Sequence, residues 1–280
     1  MKRVAETLDV ARSRLSERLV TGQRDRPIRY SKAQDEVLLP LIREIVDERL
    51  TYGYRRVCAL LNRRLAALGQ SRVNHKRVYR IMRLHGLLLI KHTGKRPERV
   101  HDGQVVTLRR NRRWCADAFE IGCWNGETVR VAFALDCCDR EAMGFSAATG
   151  GISGTMVRDM MLECVEKRFG ADHTPHRVEW LTDNGSCFAA KETVEFASRL
   201  GLVSRFTPVR SPESNGMAEA FVKTVRRDYV SVNDRPDAAT VLRQLAAWFE
   251  DYNECHPHKG LRMQSPREFI RSSTIARCPV

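Results

Sequence analysis

EWLTDNG, residues 179–185, and SPESNGMAEAFVKTVR, residues 211–226, decide how this chain is read. The apolar run 178–181 is stopped by Asp183-Asn184-Gly185, a strong turn signal, so Asp183 is expected at the C-terminal end of a buried strand with its carboxylate toward a cleft. Residues 211–216 have loop composition, and a 3.6-residue pattern begins after them. At 100° per residue Ala218, Phe221, Val222, Val225 and Tyr229 share one apolar face. Glu219, Lys223 and Arg226 fall together on its flank, at i, i+4 and i+7. Taken alone, that flank also reads as an ordinary solvated ion pair.

Upstream, RRWCADAFEI at residues 112–121 alternates like a strand and carries Asp117 three positions after Trp114. Three carboxylates, Asp117, Asp183 and Glu219, now stand out. With WCAD at 114–117, TDNG at 182–185, TPVRSPESNGMAE at 207–219, and Lys223 and Arg226 beyond, the chain resembles the retroviral-integrase-like transposases of bacterial insertion sequences, specifically the second-reading-frame product of insertion-sequence family three. The 35 residues between Asp183 and Glu219 match the spacing that gives this DDE group its label. The likeness extends to YGYRR at 52–56 and YNECHPHKGL at 252–261.

The resemblance implies a ribonuclease-H-like α/β fold, a mixed sheet with flanking helices, preceded by a small all-α helix-turn-helix domain. It implies Asp117, Asp183 and Glu219 as catalytic residues and ligands of two Mg²⁺ ions, with Mn²⁺ as a substitute; Asp117 would bridge both ions, a division of roles that spacing alone does not give. The implied reaction is cleavage of a transposon strand by water and attack of the freed 3′ hydroxyl on another strand. Lys223 and Arg226 would grip transposon-end phosphates. Clustered carboxylates without metal would repel one another and take up protons. A catalytically silent DNA-binding regulator, or a ribonuclease-H-like nuclease without joining activity, are the rival readings.

Charge is unevenly divided. Residues 1–113 hold 28 Lys plus Arg against 11 Asp plus Glu, and the remaining 167 hold 20 against 23. That asymmetry favours a polyanionic partner for the N-terminal half, because neutralised phosphates release counterions. No run of 18 apolar residues is present, and the first 30 residues lack the continuous apolar segment of a signal peptide, so a cytoplasmic protein is expected. Nine cysteines with no CxxC pair read as reduced small hydrophobes.

The pattern divides the chain into a basic lead (1–33), a helix-turn-helix-like bundle (34–88), a basic linker (89–110), the catalytic core (111–253) and a proline-broken tail (254–280). In the bundle, Pro40 must sit in a first turn or kink its helix. Asn74 is expected to cap a basic third helix whose Lys76, Arg77 and Arg80, with Arg55 and Arg56 of the preceding helix, are the candidate DNA contacts. In the core, 114–123, 128–136 and 142–148 read as a meander with an Asn125-Gly126 hairpin turn. Glycines 185 and 216 are expected to allow close approach of nucleic acid, and the loop 205–216 to order when DNA arrives. Asp136 and Asp139 read as strand-end and turn residues rather than ligands, and His256 and His258 as a polar loop rather than a metal site. The expected partners are transposon-end and target DNA, further copies of the chain, and a first-reading-frame product or fusion carrying the leucine zipper and main end-binding helix-turn-helix.

Overall fold

The computed structural model describes residues 34–90, 107–207 and 215–275; the basic lead, most of the linker and loop residues 208–214 lie outside them. Helices α1 (Gln34–Glu48), α2 (Tyr54–Ala67) and α3 (His75–Leu84) form the bundle. Their apolar stripes, Leu38, Ile42 and Ile45 with Val57, Leu61 and Leu65 and with Val78, Ile81 and Met82, close one core. Pro40 lies within α1 on its exposed side, where water reaches the carbonyl that the missing N–H leaves without a partner. Gly69, at φ 66°, ends α2 in the left-handed region that side chains disfavour. The Asn74 carboxamide caps α3 by accepting from the Lys76 N–H at 2.9 Å.

The catalytic core is a five-stranded sheet in the order β3-β2-β1-β4-β5. Strands β1 (Arg113–Gly122), β2 (Thr128–Asp136) and β3 (Ala142–Ala148) are the antiparallel meander. β4 (Val178–Thr182) and β5 (Leu202–Phe206) join it in parallel, through crossovers containing α4 (Gly154–Phe169), then the short α5 (Ser186–Ala189) and α6 (Lys191–Arg199). β1 sorts its side chains by strand periodicity. Trp114 and Ala116 enter the core under α4 and α6, whereas Cys115, Phe119 and Ile121 enter the opposite core. That second core is covered by α7 (Gly216–Val225) and α8 (Ala238–Glu254), with Phe221 stacked 4.5 Å from Phe133. α7 continues as a single π-helical turn, Arg226–Val230, which periodicity did not foretell.

The expected tail is different from its reading. A 3₁₀ turn (Lys259–Leu261) and helix α9 (Pro266–Ile275) follow α8. The reason is local: Ser265 and Glu268 form a capping box, Ser265 N–H to the Glu268 carboxylate at 2.8 Å and Glu268 N–H to the Ser265 hydroxyl at 3.2 Å. Pro266 then occupies the first helical position, where its missing N–H costs nothing.

The bundle is docked on this C-terminal region through polar contacts. Arg49 forks onto Asp251 at 2.7 and 2.6 Å, and Thr51 and Arg56 reach the buried Asp228 at 2.6 and 3.0 Å. Tyr52 bonds to His256 at 2.8 Å, and Arg63 donates to the Cys255 carbonyl at 2.7 Å. His256 is therefore buried in the seam, and His258 half-buried beside it, among Tyr52 and Tyr252. Burial, then the cationic surroundings, pushes His258 down to about 3 and His256 well below the usual imidazole range.

Candidate active site

Strand register brings two of the acids level. β1 and β4 run in parallel with Cys115 opposite Leu181, so the next same-face positions along the two strands are Asp117 and Asp183. Cys115 and Leu181 both belong to the core under α7, which puts the two carboxylates on the side where α7 lies. Glu219 is on the first turn of α7, where the helix dipole favours an acid.

Each acid has few partners. Asp117 is half-buried and accepts only the Ala118 N–H, at 2.8 Å. Burial, with the nearby charges of Asp183 and Glu219 adding to it against that one hydrogen bond, lifts its carboxyl to about 6. The influence of both acids on Asp117 is the sign that all three share one electrostatic neighbourhood. Asp183 is exposed and folds back onto the Gly185 N–H at 3.0 Å. A Cβ on Gly185 would lie 3.0 Å from the same carboxylate oxygen, so the close approach that glycine permits here is to Asp183; nothing crowds Gly216 among the described residues. The Asn184 carboxamide fastens the turn to the Thr207 carbonyl at 3.0 Å, beyond β5. Glu219 pairs with Lys223 at 2.9 Å. Among the described residues no three acidic, His or Cys side chains are drawn close enough to enclose one ion.

Sequence reasoning missed Asn215. It immediately precedes α7, is buried, and donates from Nδ2 to the Ala116 carbonyl at 3.2 Å, next to Asp117 along β1. It pins the start of the Glu219 helix to the Asp117 strand, and its Oδ1 has no partner among the described residues. It stands at the N-cap position of α7, but its side chain makes no cap bond.

The other carboxylates nearby are satisfied. Asp136 accepts from the N–H groups of Asn111, Cys138 and Asp139 at 2.6, 2.7 and 3.2 Å. Buried Asp139 is gripped by both terminal nitrogens of Arg168 at 2.9 Å, and Arg168 also pairs with Glu141.

The candidate DNA contacts separate into two groups. Arg77 and Arg80 clamp Asp35 of α1, each at 2.6 Å, and Arg56 is held in the seam by Asp228. The helix turns these three guanidinium groups inward onto acids that sequence spacing does not pair with them. Lys76, Arg55, Lys223 and Arg226 are exposed, Arg55 lying over the Tyr54 ring and Lys223 sharing the Glu219 carboxylate.

A mixed sheet with a meander, two parallel strands and helices on both faces, bearing acids within the central strand, just past the end of its parallel neighbour and on a flanking helix, defines a ribonuclease-H-like core of the integrase type. Family models agree: residues 108–212 and 200–266 each match an "Integrase core domain", and residues 32–96 an "HTH-like domain". The chain is 52% identical over 244 residues to "Transposase InsD for insertion element IS2A/D/F/H/I/K" of Escherichia coli, covering 87% of this chain and 81% of that protein. It is equally similar to the InsD transposase for insertion element IS2-9 of Escherichia coli strain K12, 52% over 87% of this chain and 80% of that one. A chain of the simian T-cell lymphotropic virus intasome, solved in complex with the PP2A regulatory subunit B56 gamma, has the same fold, with a TM-score of 0.50 at 16% identity over 78% of this chain and 72% of that one. The chain belongs to the transposases of insertion-sequence family three, as a second-reading-frame product. It is an integrase-type polynucleotidyl transferase acting in transposition of an insertion element. A core of this type uses divalent metal, and the helix-turn-helix-like domain marks a DNA-binding protein. Among the described residues, no helix is long and apolar enough to cross a membrane.

Proposed function

We propose that Asp117, Asp183 and Glu219 are the catalytic carboxylates and hold two Mg²⁺ ions, for which Mn²⁺ can substitute, with Asp117 shared between them. The observation carrying this reading is that strand register sets Asp117 level with Asp183 on the side where α7 presents Glu219, so that the charges of both acids bear on Asp117. Uncompensated carboxylate oxygens are the donors a small hard cation selects. When bound, such a pair of ions supplies positive charge to the attacking and departing oxygens of a phosphodiester. The chain's own residues do the positioning. Asp117 and Asp183 each commit an oxygen to one backbone N–H, which fixes the carboxylate planes and leaves their other lone pairs to ligation. Glu219 must release Lys223 to join them, which frees that ammonium for a phosphate of the transposon end beside Arg226. In the reaction, water or a 3′ hydroxyl attacks phosphorus, the P–O3′ bond breaks, and the attacker's proton passes to solvent. No protein adduct forms.

Lys76 and Arg55 remain as exposed contacts for DNA on the bundle. Joining two transposon ends to one target calls for more than one copy of the chain, so we infer a homo-oligomer on DNA that works with, or fused to, a first-reading-frame product, in the cytoplasm where the chromosome lies. A supercoiled-plasmid assay with end-sequence oligonucleotides and Mg²⁺ is the test. Joined products are expected from the wild type and none from Glu219→Gln, which should still bind DNA. Joining that survives in Glu219→Gln removes Glu219 from the site; binding alone or hydrolysis alone in the wild type favours a regulator or a nuclease.

A further inference from the structure

One groove among the described residues is distinct from the carboxylates. It has a volume of about 600 Å³ and runs between α2, the turn before α3, and the segment leading into α9. Five arginines drawn from four separate stretches line it: Arg55 and Arg63 on α2, Arg72 in the turn, Arg262 after the 3₁₀ turn, and Arg271 on α9. The single acid on its wall, Glu268, is already neutralised by Arg63, and Arg271 is paired with Glu254 at 2.9 Å. Arg55, Arg72 and Arg262 are exposed and have no carboxylate partner among the described residues. Arg262 reaches the groove from a left-handed turn, φ 55°, whose backbone is fixed by the Met263 N–H on the His258 carbonyl at 2.8 Å.

We propose that this groove is a phosphodiester-backbone site, holding DNA between the bundle and the C-terminal helix, separate from the outward face of α3. Three guanidinium groups with no carboxylate partner among the described residues, on a concave wall with the local acid cancelled, are complementary to a run of phosphates, which guanidinium meets by paired N–H donors. The seam supplies a reason for the site to be composite. Arg49, Thr51 and Arg56 lock the bundle onto Asp251 and Asp228, so arginines from both sides of the seam are held in register. Neighbouring residues of α2 thereby divide the work: Arg56 turns into the seam and Arg55 toward the groove. The proposal rests on the reading of the chain as a DNA-binding protein.

The test is DNA binding by the full chain in EDTA, followed by fluorescence anisotropy across a salt series, with a random-sequence duplex and the corresponding single strand as probes. For Arg72→Gln/Arg262→Gln the slope of log K against log salt should become shallower by about 2, one unit for each lost phosphate contact, with affinity down roughly tenfold at low salt. Arg72→Lys/Arg262→Lys should retain the slope, which separates lost charge from lost folding. The single variant Arg55→Gln should lose about 1 unit of slope. Whichever probe loses more identifies duplex or single strand as the occupant. Unchanged slopes in the Gln variants, with the wild type binding normally, overturn the groove and leave DNA binding by the bundle intact; so does a groove that takes poly-glutamate without altering DNA affinity. A wild type that binds neither probe brings down the groove together with the reading beneath it.

Discussion

The core carries two groups of acids, and they are built in opposite ways. Around Asp136 and Asp139, four backbone N–H groups and the buried Arg168 fork meet the carboxylate oxygens, with Glu141 sharing the same arginine. Around Asp117, Asp183 and Glu219, two backbone N–H groups and the exposed Lys223 are the only partners among the described residues. Burying a charge is costly unless it is paired. The first cluster carries its own cation and is structure. The second has no such buried cation among the described residues, and this is the charge we propose that bound metal supplies.

This contrast can be broken most forcefully at Arg168. Arg168→Met should destabilise the fold by about 3–5 kcal/mol, because it leaves Asp139 buried without its cation, Glu141 keeping Arg267; urea unfolding monitored by circular dichroism reads the loss, and a change below about 1 kcal/mol would equate the two clusters. The next largest effect is expected at the seam between strand and helix. Asn215→Ala should lower the strand-joining rate roughly 10- to 100-fold, the scale of a misplaced catalytic group, while thermal stability falls by only about 1–3 kcal/mol for the one unsatisfied carbonyl it leaves. If joining and stability decline in proportion, Asn215 is merely a packing residue. The smallest effect sharpens the comparison from the other side. Saturating Mg²⁺ should raise the stability of the wild type by roughly 1–3 kcal/mol through preferential binding to the folded state, and Asp183→Asn should abolish that gain. An equal gain in Asp183→Asn would move the ion elsewhere.

Much of this was legible beforehand because strands and amphipathic helices write themselves in periods of 2 and 3.6 residues. The Asp183-Asn184-Gly185 turn placed one acid at a strand end, the alternation after Trp114 placed another inside a strand, and the apolar face of Ala218, Phe221 and Val225 located the helix of the third. The capping role of Asn74 and the left-handed stops at Gly69 and Gly86 are equally local matters. What escaped was settled by partners distant in sequence. Arg77 and Arg80 look like a basic face until Asp35, some forty residues earlier, is seen between them. Arg56 looks like its neighbour Arg55 until Asp228 claims it. The segment after Cys255 looked like a tail because its prolines read as breakers, although Ser265 to Glu268 also spells a helix start.

By itself, then, the sequence determined the succession of elements, the family, and which acids stand at the ends of those elements, since backbone periodicity and turn chemistry act over a few residues. Only the tertiary structure decided which charges are already answered. Charge compensation depends on distance in space and on burial, and neither the pairing of Arg168 with Asp139 nor the exposure of Arg72 and Arg262 along one groove has any signature in the order of the residues.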